Sequence, residues 1–253
     1  MKGAFLDYLT EQLGTPVCGQ QVMAYLAAVM AHPGYTRRFQ DDLVQPGLRL
    51  PLTRDAGLFE EAVTLGEEVI WLHTFGERYA DPSDGRPAGA PRMPKGKGPR
   101  IPKDGAIPSD PERMPDRIDF DAGKRRLLVG EGFIDNVPPE VWRYEVSGKQ
   151  VLVQWFSYRK KDRTRPVIGE RRPPSPLEKI QSDRWLAEYT TELLNVLHVL
   201  GRLVALEDRQ ANLLTRICDG PLISADTLRT VGAFDVKRKG KGGKADARQR
   251  SLL

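Results

Sequence analysis

Lys149, Gln150, Tyr158, Arg159, Lys160, Lys161, Arg163 and Arg165 fall within one short stretch, and their side chains hold the chemistry of polyanion binding. Lys and Arg neutralise phosphates and release the condensed counterions, while Arg and Gln also form the paired hydrogen bonds that read base edges. Residues 142–172 carry nine Lys and Arg against three Asp and Glu, a local net charge of +6. For any single member the alternative is a solvated basic face whose Arg stems cover apolar surface. As a group these eight are the candidate DNA-binding residues. The whole-chain charge of +5 is a poorer guide, because residues 237–253 supply seven cations against Asp246 and leave the other 236 residues at −1. Basic tails also occur on proteins that never meet nucleic acid.

The elements that must position this cluster begin at Pro138. Val141–Val146 reads as a short strand, followed by a tight turn. Ser147 and Gln150 stand at the S-x-x-Q spacing of a capping box, which predicts a helix opening at Ser147. Beyond Gln150, Val151, Val153 and Trp155 alternate as in a strand, whereas Val151, Leu152, Trp155, Phe156 and Arg159 fall at helical spacing. The cap favours the helix. Trp142, Trp155 and Phe156 would then face a core rather than serve as base-stacking platforms, and Tyr158–Lys161 would emerge into solvent.

Around this centre, residues 1–15 read as a short polar lead. Gln20–Ala31 reads as an apolar helix stopping at His32-Pro33-Gly34, Tyr35–Val44 as a short helix, and Leu48–Leu52 as extended. Asp55 caps a helix whose apolar residues, Leu58 through His73, recur at three- and four-residue steps to about Tyr79. From Asp81 to Pro115 the chain is rich in Pro, Gly, Lys and Arg, which predicts a long linker or surface loop. Arg117–Asp121 and Arg125–Val129 read as strands joined by Ala122-Gly123-Lys124, with a third near Phe133. After a Pro/Arg-rich loop, Arg163–Pro176, a buried helix spans Asp183–Leu206 and a shorter one ends at Asp219-Gly220-Pro221. The fold class is α+β: N-terminal helices, a small antiparallel β-meander with a central helix, and a C-terminal helical segment. The predicted domains are a helical region over 1–80, a basic linker over 81–116, an α+β domain over 117–222, and a disordered basic tail over 223–253.

Catalytic constellations are missing. Gly240–Lys244 and Lys95-Gly96-Lys97-Gly98 resemble phosphate loops in composition only, since neither lies between a strand and a helix. Asp116, Asp121 and Lys124 approach the acidic triad of metal-dependent nucleases, but Asp121 and Lys124 have one spacer residue too many. His32, His73 and His198 sit on separate elements, and Cys18 and Cys218 have no partner pattern for zinc. No catalytic residue, metal ligand or cofactor site is predicted in this chain. With 253 residues and 40% apolar content, it can bury a core; it has no run long enough to span a membrane and no secretion signal, so the reading is cytoplasmic.

Ala24–Val29, His32-Pro33-Gly34-Tyr35, Arg38-Phe39, Leu48–Leu52 and Leu58-Phe59 through Leu72-His73 resemble the segment where single-polypeptide (type ISP) restriction-modification enzymes leave their methyltransferase and enter the specificity region. Val137–Tyr144, Ser147–Leu152 and Trp155–Arg159 resemble the recognition domain itself, and the similarity runs from about residue 20 to residue 220. Full-length members join a nuclease, a helicase-like ATPase and an adenine-N6 methyltransferase to a C-terminal target-recognition domain. The resemblance therefore implies a DNA-binding specificity module, non-catalytic alone, with double-stranded DNA as partner. S-adenosylmethionine would sit on a partner methyltransferase, and a methyltransferase/helicase–nuclease subunit is the expected protein partner. It does not say which side chains read bases. The rival expectations are a protein-interaction subunit docking on that methyltransferase and a methyltransferase remnant.

Overall fold

Asp55 accepts a hydrogen bond from the Leu58 N–H at 2.9 Å and opens α4 (Ala56–His73), which ends where Phe75 and Gly76 turn to positive φ. The computed structural model describes residues 3–44, 50–161 and 182–232. Ahead of α4 come α1 (Gly3–Leu13), α2 (Gly19–Met30) and α3 (Pro33–Arg38). Residues 1–15 are thus not a polar lead: Leu9 and Leu13, one helical turn apart, are buried. Part of the Leu48–Leu52 segment lies outside the described residues. Its remainder is held by Tyr25, whose hydroxyl donates to the Pro51 carbonyl at 2.8 Å and accepts from the Thr53 N–H at 3.2 Å while its ring stacks on Phe59.

The two helices expected near the C-terminus are one, α7 (Ala187–Asp219), of 33 residues and about 50 Å at 1.5 Å per residue. Leu193, Leu197, Leu200, Leu203, Leu206, Leu213 and Ile217 make its buried stripe. The charged run after Leu206 does not break the helix, because it turns outward while buried Gln210 points in. The Gln210 amide donates to the Ala28 carbonyl at 3.0 Å, satisfying an end of α2 that lacks its own partner. A short α8 (Ala225–Thr230) follows, capped by Ser224; the tail from residue 233 and the Arg163–Pro176 loop lie outside the described residues.

In the chain between α4 and α7 comes an antiparallel sheet of β1 (Ile118–Asp121), β2 (Arg126–Val129) and β3 (Gly132–Ile134), in that order, with Phe120 opposite Leu127 and Leu127 opposite Ile134. Leu127, Val129 and Ile134 are buried, together with Val137, Val141 and Leu152 beyond the sheet. After β3, the expected strand over 141–146 is replaced by α5 (Pro139–Trp142) and a two-residue β4 (Glu145–Val146). Pro139 occupies the first helical position, which its fixed φ suits. Ser147 does not cap a helix: it and Gly148 both take positive φ, 52° and 71°, as a two-residue hairpin turn between β4 and β5 (Lys149–Gln150) demands. The central helix, α6 (Val151–Ser157), starts four residues later than predicted.

His32 is 5% exposed and neither ring nitrogen has a hydrogen-bond partner among the described residues. Burial pushes its pKa down to about 4, with the Arg37 charge assisting. A base whose folded pKa lies below its unfolded value near 6.5 disfavours the proton when folded. Stability is therefore complete above about pH 6.5 and falls as pH drops toward 4, by about 2–3 kcal/mol from this residue. Urea unfolding at neutral pH and near pH 4.5 should show that loss, and His32→Leu should remove that part of it.

Candidate nucleic-acid interface

The predicted cluster is carried by the β4–β5 hairpin, α6 and the chain just after it. Lys149, opposite Val146 in the hairpin, is exposed. Gln150 turns inward, its amide donating to the Trp142 carbonyl. Tyr158 ends α6 with an exposed ring whose hydroxyl accepts from the Gln154 amide at 2.9 Å. Arg159 bridges α6 and α7: Nε and Nη2 donate to Glu192 at 3.1 and 2.8 Å, Nη1 donates to the Trp155 carbonyl at 3.0 Å, and the guanidinium lies 4.2 Å from the Trp155 ring centroid. The Lys160 N–H donates to the Phe156 carbonyl at 3.0 Å, and Lys161 is held at both ends, its N–H on the Pro115 carbonyl at 2.7 Å and its Nζ on the Glu112 carbonyl at 2.9 Å. Arg163 and Arg165 lie outside the described residues. The structure thus uses Gln150, Arg159 and Lys161 to hold elements together and leaves Lys149 and the Tyr158 ring on the surface.

A second concentration of cations, which the sequence reading missed, forms where residues 92–100 cross the sheet and α7. Residues 81–116 carry no helix longer than one turn, yet they are fixed along their length. Buried Arg86 donates to the Tyr79 carbonyl at 2.9 Å and pairs with Glu67 at 3.2 Å; the Trp71 indole donates to the Pro87 carbonyl at 3.1 Å. Arg92 Nη1 donates to Asn195 at 2.9 Å, the Met93 N–H donates to His198 Nδ1 at 3.1 Å, and Arg100 exchanges two backbone hydrogen bonds with Asp135, at 3.0 and 2.8 Å.

These attachments leave a cleft of about 870 Å³ lined by Arg92, Lys95 and Arg100 on one side, Lys124, Arg125 and Arg126 on the other, and Asp135, Asn136 and His198 between them. Its one carboxylate, Asp135, is committed to Arg126 Nε at 2.7 Å, and Arg126 also lies 3.6 Å from the Phe133 ring centroid. Asn136, at φ 62°, holds the glycine-rich loop by donating to the carbonyls of Gly98 at 2.9 Å and Gly96 at 3.3 Å. A Cβ on Gly98 would meet His198 Cε1 at 2.5 Å, so the bare glycine lets the loop lie directly against that ring. Burial and the neighbouring Arg92 charge hold the His198 pKa below its ordinary value. His198 is therefore neutral near pH 7, and with Nδ1 accepting from Met93 its proton sits on Nε2. Lys95-Gly96-Lys97-Gly98 is no phosphate loop of the strand–helix kind, but it does form one wall of a basic cleft. The available signal was the run Arg92, Lys95, Lys97, Arg100 and Lys103 without an intervening carboxylate.

Among the described residues no group of His, Cys, Asp and Glu could hold a metal ion, and no helix is long and apolar enough to cross a membrane. No curated protein matches the chain. Among solved structures it is similar to a nuclease-deletion mutant of the Type ISP restriction-modification enzyme LlaGI in complex with a DNA substrate mimic, at 18% identity and a TM-score of 0.48, over 77% of this chain and 14% of that one. It is also similar to the DrdV–DNA complex, at 17% identity and a TM-score of 0.49, over 83% of this chain and 19% of that one. It therefore spans less than a fifth of either of those chains. The family model of the Type ISP C-terminal specificity domain matches residues 1–195, most of the described fold. The chain belongs to the Type ISP C-terminal specificity domain family.

Proposed function

We propose that this chain is the target-recognition module of a restriction-modification or phage-defence system: it binds double-stranded DNA in the cytoplasm and selects a sequence, and has no catalytic step of its own. The observation that carries the reading is the specificity-domain match over residues 1–195. In this reading Lys149, Tyr158 and Lys160, with Arg163 and Arg165 beyond them, face the duplex. Gln150, Arg159 and Lys161 set the pose of the hairpin and of α6 through the hydrogen bonds they already make. Methyl transfer from S-adenosylmethionine, and any cleavage, belong to methyltransferase and helicase–nuclease parts that this module works with or within.

Fluorescence anisotropy with duplex oligonucleotides at about 50 mM salt tests this, because the electrostatic part of binding is largest there. Binding is expected from the chain alone or with its cognate methyltransferase, and Lys149→Ala should lower the salt slope by about one while weakening all sequences alike. Absence of duplex binding under both conditions would overturn the reading, and S-adenosylmethionine binding by this chain alone would overturn the division of labour.

A further inference from the structure

We propose that the cleft between residues 92–100 and the β1–β2 turn is a phosphate-binding site which, on duplex DNA, clamps the sugar-phosphate backbone without regard to sequence; its use on DNA rests on the function proposed above. Three observations carry it. First, three of the six cations there are not consumed by the fold, whereas Arg126 pairs with Asp135, Lys124 with Asp121 and Arg92 with Asn195. Lys95, Arg100 and Arg125 are exposed and their side chains have no partner among the described residues, whereas the Arg159, Arg202 and Arg216 side chains each reach a carboxylate at 2.8 Å. Like charges gathered without a counter-charge repel one another and are relieved by an anion.

Second, the arrangement is held rather than splayed. Asn136 pins both glycines of the loop, the Arg100–Asp135 backbone pair ties the loop to the sheet, and the Arg125 carbonyl accepts from the Val137 N–H at 2.9 Å. Arg125 itself stands at φ 51°, a conformation costing a residue with a Cβ about 1 kcal/mol. Third, His198 offers a neutral donor between the two cationic walls. Its Nδ1 is occupied by the Met93 N–H, so Nε2–H, with no partner among the described residues, is left to donate. Cations on flexible stems around a neutral N–H suit phosphate oxygens better than base edges, which need rigid paired donors and acceptors.

The test uses the whole chain, mixed-sequence and preferred duplexes, and tripolyphosphate as a small probe. The triple variant Lys95→Ala, Arg100→Ala, Arg125→Ala is expected to keep its melting temperature, to bind every duplex roughly tenfold to a hundredfold more weakly near 0.1 M salt, and to lose about two to three units of salt slope. The ratio of affinities between preferred and random sequences should not change. Arg125→Gly removes one cation and the φ cost together, so it should fold at least as well as the parent and still bind more weakly. Tripolyphosphate should move the His198 ring resonances of the parent and not those of the triple variant. Tripolyphosphate binding without duplex binding would support the site and overturn the DNA function instead. Parent-like salt slope in the triple variant, a changed sequence preference, or no response of His198 to tripolyphosphate would overturn the clamp.

Discussion

Gly66→Ala is expected to destabilise the protein by about 3–5 kcal/mol, and Gly66→Val to prevent folding. On an exposed helix the first change would gain up to about 1 kcal/mol, since alanine outranks glycine as a helix former. Gly66, however, is buried on α4 where that helix crosses α2. A Cβ on Gly66 would lie 1.7 Å from the Ala24 carbonyl oxygen and 2.4 Å from its carbon, and these are backbone atoms that no rotamer change can remove. The helices would have to separate, opening the layer that includes Tyr25, Ala28, Phe59 and Val69. Gly201→Ala is the control. The three atoms nearest its Cβ all belong to the Met93 side chain, the first of them Sδ at 2.4 Å, and a thioether can swing aside. Thermal melting should show Gly66→Ala lower by about 10 °C, at roughly 2–4 °C per kcal/mol for a chain of this size, and Gly201→Ala changed by a few degrees at most. If the two fell equally, the close crossing would not be what holds α2 to α4.

The contrast between those glycines marks what was legible in the sequence. α2, α4, β2 and β3 follow from apolar periodicity, because one face of each is buried and the spacing of buried residues is the signal itself, while β1 alternates Ile118 and Phe120 with Asp119 and Asp121 on a half-buried strand. Periodicity could not tell that Gly66 sits at a backbone crossing and Gly201 beneath one methionine, since that depends on a neighbour far along the chain. Ser147 shows a local signal overruled by another local signal. The S-x-x-Q spacing is real, but Gly148 beside Ser147 accepts positive φ, and a hairpin turn there lets Gln150 bond to the Trp142 carbonyl. The continuity of α7 was hidden for a third reason: the dense apolar run stops at Leu206, whereas the helix continues with buried Gln210 finding its acceptor on α2.

The candidate site was legible to a different degree. The sequence located one basic cluster by density of charge, and density does not distinguish a cation facing solvent from one consumed by the fold. Arg159 has its carboxylate on α7, and Lys161 its acceptors among residues 112–115. The cleft's cations come from residues 92–100 and 124–126, with neutral His198 between them. Backbone pairing of irregular chain to a strand end brings them together, and that leaves no period to read. A Pro- and Gly-rich stretch can thus be read as a linker and still form one wall of a site, because composition predicts the absence of regular elements and not the absence of hydrogen bonds.

Trp185→Ala is expected to cost about 3–5 kcal/mol and to weaken DNA binding as a secondary effect. Trp185 is 2% exposed and lies 6.2 Å from Trp155, 6.2 Å from Phe156 and 5.5 Å from Tyr189 between ring centroids. Its indole N–H donates to Thr190 Oγ1 at 2.8 Å, so truncation removes a large apolar surface, three aromatic contacts and one satisfied donor together. It also removes the ring against which Trp155 rests, and Trp155 carries the Arg159 guanidinium that reaches across to Glu192. Loosening that layer frees α6 from α7, and with it the direction in which Tyr158 and Lys160 point. Trp185→Phe keeps most of the apolar volume and loses the indole donor, so it should cost about 1–2 kcal/mol. Two measurements separate the structural role from direct contact with DNA. Denaturant unfolding should rank parent, Trp185→Phe and Trp185→Ala in falling order, and the salt slope of DNA binding should be the same for parent and Trp185→Phe, because no phosphate partner has been removed. A parent-like stability for Trp185→Ala with lost affinity would make Trp185 a DNA-contacting residue rather than the support for α6.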